Sequence, residues 1–218
     1  MEKRKAILLG ASGLIGFEIL SLLINNDYFD EVLLLNRREM KIVSSKVAQR
    51  TVDFSKPDTF ADAFENTDTV FCAIGTTRKK TPDLDNYRKV DFDIPIMAIK
   101  HAEQSDVSSF MLVSSIGADA KSKNFYLQIK GEVDEFLSQS RIRTKGIFRP
   151  SLLLGKRNES RFGEGIAQKL APLLGFMTPN KYKAIDAKDV ARAMVVAAKM
   201  KNEALKTYTY QDIITLSR

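Results

Sequence analysis

A chain of 218 residues with 44% hydrophobic and 28% charged side chains can bury one good core and is short for two, which excludes a disordered or low-complexity protein. A single cysteine and a single histidine exclude an internal disulfide and leave no cluster for a metal site. The net charge of +7 is spread along the chain in short clusters (Arg37 and Arg38, Arg78 to Lys80, Lys121 to Lys123), and no zinc finger or aromatic RNA-binding strand accompanies it, so nucleic acid is not expected as a partner.

The start, "MEKRKAILLGASGLIGFEIL", has a basic lead and an apolar run, but Gly10, Ser12, Gly13, Gly16 and Glu18 interrupt that run and no small-x-small cleavage pattern follows. No stretch approaches the length of a membrane span. A cytoplasmic location away from any membrane is therefore expected.

Along the chain, "KAILLG", "EVLLLN", "VAQRTVDF", "TVFCAIG", "SFMLVSS" and "RTKGIFRP" are short runs of β-branched or bulky apolar residues. Amphipathic stretches separate them, namely "GFEILSLLINN", "KPDTFADAFEN", "YRKVDFDIPIMAIKHAEQ" and "FYLQIKGEVDEFLSQS". Such alternation predicts an α/β protein of one domain over residues 1–218, a doubly wound parallel sheet with ligand sites at the carboxyl ends of its strands. After "FRPSLLLG" the alternation lapses, and residues 151–185 are read as a small substrate-side segment of the same domain. A helix, "AKDVARAMVVAAKM", and a short strand candidate, "KTYTYQ", close the chain.

Gly10, Gly13 and Gly16 follow the first strand and open the first helix. A tight turn there, with Ser12, Leu14 and Ile15 between the glycines, lets backbone amides approach a pyrophosphate at a helix N-terminus, and predicts a dinucleotide cofactor. After the second strand, Arg37 and Arg38 stand where an acidic residue would otherwise repel a 2′-phosphate, which favours NADP(H). Asp53 and Phe54, after the third strand, are expected at the adenine, and Gly75 and Thr76, after the fourth, beneath the middle of the cofactor. Cys72 is expected to be a buried, inert thiol, and His101 a polar tip near the end of a helix.

Tyr126 and Lys130 are four residues apart on one helix face, a spacing that six tyrosines in a lysine-rich chain also produce by chance. Their place after strand five, with Ser115 in the preceding loop, is what gives the spacing a meaning, because that loop and helix converge on the nicotinamide end of the cofactor. Ser115, Tyr126 and Lys130 are thus the expected catalytic residues for hydride transfer to or from a small carbonyl or alcohol, with Tyr126 exchanging the proton and Lys130 also contacting the nicotinamide ribose.

"GASGLIG", "LNRR", "VDF", "FCAIGTTR", "VSSIGAD", "NFYLQIKGEVDEF" and "FRPSLLLGKRNESRFGE", in this order, resemble the atypical short-chain dehydrogenase/reductases, and in particular the Tat-interacting-protein (CC-three metastasis suppressor) family. The resemblance implies a Rossmann domain with bound NADPH, a Ser-Tyr-Lys set at Ser115, Tyr126 and Lys130, and nicotinamide contacts at Pro150 and Ser151. It also leaves open a non-catalytic role, in which cofactor occupancy controls a protein partner, and a homodimer. Two departures stand out: "YRKVDFDIP" lacks the asparagine that classical members carry in the fourth helix, and the sugar-binding lobe of extended members is abbreviated. "GKRNESRFGE" is either part of a small substrate lid or a solvated connection.

Overall fold

The computed structural model describes residues 4–155, 183–200 and 204–218. Its strands are Lys5–Leu9 (β1), Glu31–Asn36 (β2), Val47–Thr51 (β3), Thr69–Cys72 (β4), Ser109–Val113 (β5), Thr144–Phe148 (β6), Leu153–Leu154 (β7), Ile185–Asp186 (β8) and Leu205–Tyr208 (β9). The helices are Leu14–Ile24 (α1), Leu84–Arg88 (α2), Ile94–Gln104 (α3), Phe125–Gln139 (α4), Ala187–Lys199 (α5) and Tyr210–Ser217 (α6). Seven strands form one sheet in the order β3-β2-β1-β4-β5-β6-β9, every pair parallel. This is the doubly wound order, whose chain reversal beside β1 opens a crevice at the carboxyl ends of β1 and β4.

Both faces of the sheet are covered, and β1 shows why. Ala6 and Leu8 point into a core with Ile19, Leu23, Phe29, Val190 and Met194, while Ile7 and Leu9 point into a second core with Phe60, Phe64, Ile99, Phe110 and Leu137. A strand buried on both sides must be apolar throughout, as "AILL" is. Cys72 lies in the second core, where burial pushes its thiol up to about 11, consistent with an inert side chain.

Four local expectations change. "KPDTFADAFEN" forms a 3-10 segment, Pro57–Phe64, instead of an α-helix, with a non-helical kink at Phe60 that sends both Phe60 and Phe64 into the core. The stretch around Pro95 is helical from Leu84 to Gln104, but a π turn at Lys89–Asp93 interrupts it. Pro95 lacks an N–H and crowds the preceding turn, and a wider turn relieves both. "KTYTYQ" ends as a strand at Tyr208, and Tyr210 opens a helix through a Thr209–Asp212 capping box. His101, expected as a wet helix tip, is buried between Phe60 and Phe64 at ring distances of 6.1 and 5.4 Å.

The loop after β5 is pressed against α4. Asp119 N donates to Leu127 O at 3.1 Å, and a Cβ on Gly131 would lie 2.1 Å from Ala120 N and 2.2 Å from Asp119 C. Both obstacles are backbone, so neither can swing aside. Gly131→Ala should therefore cost about 2 kcal/mol or more of stability. Urea unfolding would show this as a lower midpoint with an unchanged slope.

Candidate functional site

The sheet register brings the residues that follow β1, β2 and β4 to one edge, the carboxyl ends of the strands. Leu9 pairs with Leu35 and with Cys72, so Gly10, Asn36 and Ala73 are neighbours. Gly10 has φ +88°, and a Cβ there would meet Ala73 O at 2.6 Å, while a Cβ on Gly16 would meet Gly10 O at 2.0 Å. The first glycine makes the turn and the third seats the helix on it. Gly13 N donates to Gly10 O at 2.9 Å. Gly13 is also the N-cap of α1, brings no side-chain cap and is followed by no acidic residue in the first turn. Those first-turn amides, belonging to Leu14, Ile15 and Gly16, need an acceptor, and an anionic group fits that need. Leu14 is partly buried and Ile15 buried, so only their backbone is available for this; Ser12 is exposed on the turn.

At the end of β2, Asn36 is buried and its Nδ2 has no partner within the protein. An orphaned buried donor beside the glycine turn is costly unless something else accepts from it, and a ribose hydroxyl would. Arg37 and Arg38 are exposed next to it. Asp53 is exposed; its Oδ1 accepts from the hydroxyl of Ser55 at 2.7 Å and from its amide at 3.0 Å, which holds the carboxyl below its ordinary ionisation. Phe54 is half-buried and packs edge-on to Phe60 at 5.7 Å.

The other end of the crevice is built around Lys130, whose side chain is 7% exposed, with Asp91, whose side chain is 1% exposed, 3.0 Å from its ammonium. Asp91 Oδ2 accepts from Thr76 N at 2.7 Å, and a Cβ on Gly75 would come within 3.5 Å of Asp91 Oδ1 and 3.8 Å of Lys130 Nζ. The loop after β4 thus lies directly on the ion pair. Burial alone would lower the ionisation of Lys130, but Asp91, helped by Tyr126, outweighs it and the net shift is upward. Tyr126 is 36% exposed on the same face of α4; nearby, burial first, then Asp91 and Tyr126, push up the phenol of Tyr87, whose hydroxyl donates to Thr76 O at 3.3 Å.

Ser115 is buried at the end of β5, and its hydroxyl donates to Ile116 O at 3.3 Å. Ile116 N donates to Pro150 O at 2.9 Å, tying the loop after β5 to the one after β6. Ser151 donates to Lys183 O, and β7 pairs with β8 just beyond, so the chain leaves and re-enters beside the crevice. Gly155 lies against Leu14. Of the segment 151–185, expected on the substrate side, residues 156–182, and with them most of "GKRNESRFGE", lie outside the described residues. Two cavities are lined by none of these groups: one of 260 Å³ runs along β6 and β9, with Thr144, Lys145 and Leu205, and one of 630 Å³ lies before β5 and β6, with Glu103 and Arg141.

The profile of the NAD(P)H-binding family matches residues 10–201. The chain belongs to that family. It is 36% identical over 198 residues to Protein HTATIP2 of Rattus norvegicus, covering 89% of this chain and 81% of the relative. It is 34% identical over 158 residues to Protein FMP52-1, mitochondrial, of Scheffersomyces stipitis, covering 72% and 70%. Among solved structures it resembles a UDP-N-acetylglucosamine 4-epimerase of Methanobrevibacter ruminantium M1 in complex with UDP-N-acetylmuramic acid (TM-score 0.73, 14% identity, covering 99% and 81% of the two chains). It also resembles MoeE5 in complex with UDP-glucose and NAD (TM-score 0.72, 14% identity, covering 98% and 80%). The Rossmann fold and the Tat-interacting-protein resemblance hold. The cytoplasmic expectation does not, because relatives in Scheffersomyces stipitis, Debaryomyces hansenii, Candida albicans and Emericella nidulans are all named mitochondrial. That expectation weighed only secretory leaders and membrane spans, neither of which separates the two compartments.

Asp91 and Asp134 were missed by the sequence reading. Asp134 Oδ2 accepts from Ser114 Oγ and from Arg149 Nε, each at 2.9 Å, and so ties α4 to the ends of β5 and β6. Their shared signal is a carboxylate on the apolar face of a helix: Asp91 is four residues after buried Tyr87, and Asp134 follows buried Val133. Burial raises the ionisation of Asp134 against the pull of Ser114 and Arg149. An acid raised in the folded state binds its proton there first, so this group adds stability as pH falls through its folded value towards the unfolded one. Relative to Asp134→Asn, the wild type should gain stability between pH 7 and pH 4, read from melting temperatures across that range.

Proposed function

We propose that this protein is an NADP(H)-dependent oxidoreductase that interconverts a small carbonyl compound and its alcohol, with Tyr126 as the acid/base. The observation that carries this reading is the buried Lys130 ammonium, charged and fixed, on one helix face with Tyr126 at the open end of the crevice. When bound, the reduced dinucleotide supplies the hydride. The chain's own residues then hold the substrate and move the proton. Ser115 donates to the carbonyl oxygen as negative charge grows on it, and Tyr126 passes its phenolic proton to that oxygen. Lys130 stabilises the phenolate left behind and holds the ribose next to the nicotinamide. In the alcohol-oxidising direction the same proton returns to Tyr126.

For the cofactor itself, the uncapped amides of the Gly10–Gly16 turn suit the pyrophosphate, with Ser12 beside them. Gly75 and Thr76 suit its middle, and Pro150 and Ser151 the nicotinamide. Asp53 and Phe54 are assigned to the adenine. Arg37 and Arg38, following the orphaned Asn36 amide, favour a 2′-phosphate over a bare ribose.

Tyr126→Phe should leave NADPH binding within about twofold while lowering reduction of an accepted carbonyl by at least ~100-fold. A broad carbonyl screen following NADPH absorbance checks it, and unchanged turnover would remove Tyr126 from the chemistry. Replacing Arg37 and Arg38 together by Ser should weaken NADPH by about tenfold or more and leave NADH nearly unchanged. Calorimetric titration with both dinucleotides distinguishes them.

A further inference from the structure

We propose that Asp91 is a positioning residue that keeps Lys130 protonated and locks it to the Gly75–Thr76 turn, so that lysine, turn and cofactor site act as one charge-balanced unit. The inference rests on the cofactor reading above and goes beyond it, because Asp91 stands in the helix where classical short-chain dehydrogenase/reductases carry a neutral asparagine, and its charge changes what Lys130 does.

The geometry is specific. One carboxylate oxygen faces the Lys130 ammonium at 3.0 Å and the other accepts from Thr76 N at 2.7 Å. Thr76 is held on two further sides: its carbonyl accepts from Tyr87 and its hydroxyl is 2.8 Å from that of Thr81. The carboxylate reaches this spot through the π turn at Lys89–Asp93, a widening of the kind that recurs at functional sites. An asparagine could make the bond to Thr76 but could not offset the charge of Lys130. The groups acting on Lys130 are Asp91 from the π turn, Tyr126 and Asp134 from α4, and Cys72 from β4. Of these, Cys72 is a buried thiol with its ionisation pushed up, Asp134 is already engaged by Arg149, and Tyr126 is neutral when it holds its proton. Asp91 is therefore the counter-ion of Lys130.

The sign follows. With Asp91 charged, Lys130 stays an ammonium to higher pH than an ordinary lysine, and its contact with the cofactor ribose persists through the neutral and alkaline range. Without that charge, burial is no longer offset and the lysine loses its proton at lower pH.

Asp91→Asn separates charge from position. The ratio of its NADPH dissociation constant to that of the wild type should be within about threefold at pH 6 and reach about tenfold or more by pH 9, given shifts of several units for uncompensated buried lysines. Taking the ratio cancels the titration of the cofactor phosphate. A loss of affinity equal at both pH values would mean a merely structural role and overturn the proposal. A second measurement needs no variant: in the cofactor-free wild type, ¹⁵N resonances of lysine side chains followed against pH should show Lys130 titrating last. If Lys130 loses its proton before the exposed lysines, the pairing is refuted. Failure of the wild type to bind NADPH at all would overturn the proposed function, and the order of lysine titration would still decide whether Asp91 holds Lys130 charged.

Discussion

The Lys130–Asp91 pair is the constraint around which the carboxyl edge of the sheet is arranged. Taking either charge out of water alone costs several kcal/mol, so neither side chain can occupy its place without the other. Pairing them fixes α4 against the π turn, and the second oxygen of Asp91 extends the grip to the loop after β4. A buried pair of this kind is not a strong source of net stability, since apolar residues of similar volume would fill the space as well. It lies inside a crevice, with Gly75 stripped of a side chain above it, which is where perturbed titratable groups cluster in functional sites and which supports the function proposed above.

A second buried acid supports the same helix from below. Tyr126, Lys130 and Asp134 recur at intervals of four along α4, so one face carries a phenol at the mouth, an ammonium within and a carboxylate at the base. Asp134 joins that base to Ser114 and Arg149, and Gly131 lets the loop carrying Ser115 lie against the helix. Preorganisation of this sort holds a reacting group within tenths of an ångström, a tolerance catalysis requires. At the far end of the crevice the groups are different: uncapped backbone amides open α1, its positive dipole end faces the same side, and Arg37 and Arg38 are exposed beside it.

How much of this was legible in the sequence depended on whether a feature is local. "GASGLIG" after an apolar strand announces its turn because only glycine tolerates Gly10's positive φ and the contact of Gly16 with Gly10 O. Tyr126 and Lys130 were legible through helical spacing together with strand count. The shape of Pro57–Phe64 and the π turn before Pro95 were not, since a helical periodicity reads the same for α, 3-10 and π turns. The helix at Tyr210 had a signal, Thr209 three residues before Asp212, which the β-rich look of "KTYTYQ" obscured. Cellular location was misread because composition carries no address.

By itself, then, the sequence determined the alternation of strands and helices, the doubly wound order and the glycine turn after the first strand. Each of these depends on steric or periodic rules acting over a few neighbouring residues. Only the tertiary structure decided that Asp91 is the counter-ion of Lys130, that His101 is buried between phenylalanines, and that Asn36 keeps an amide unpartnered beside the glycine turn. Those outcomes depend on which side chains meet across the sheet and on how deeply each is removed from water, and burial is a property of the packed chain.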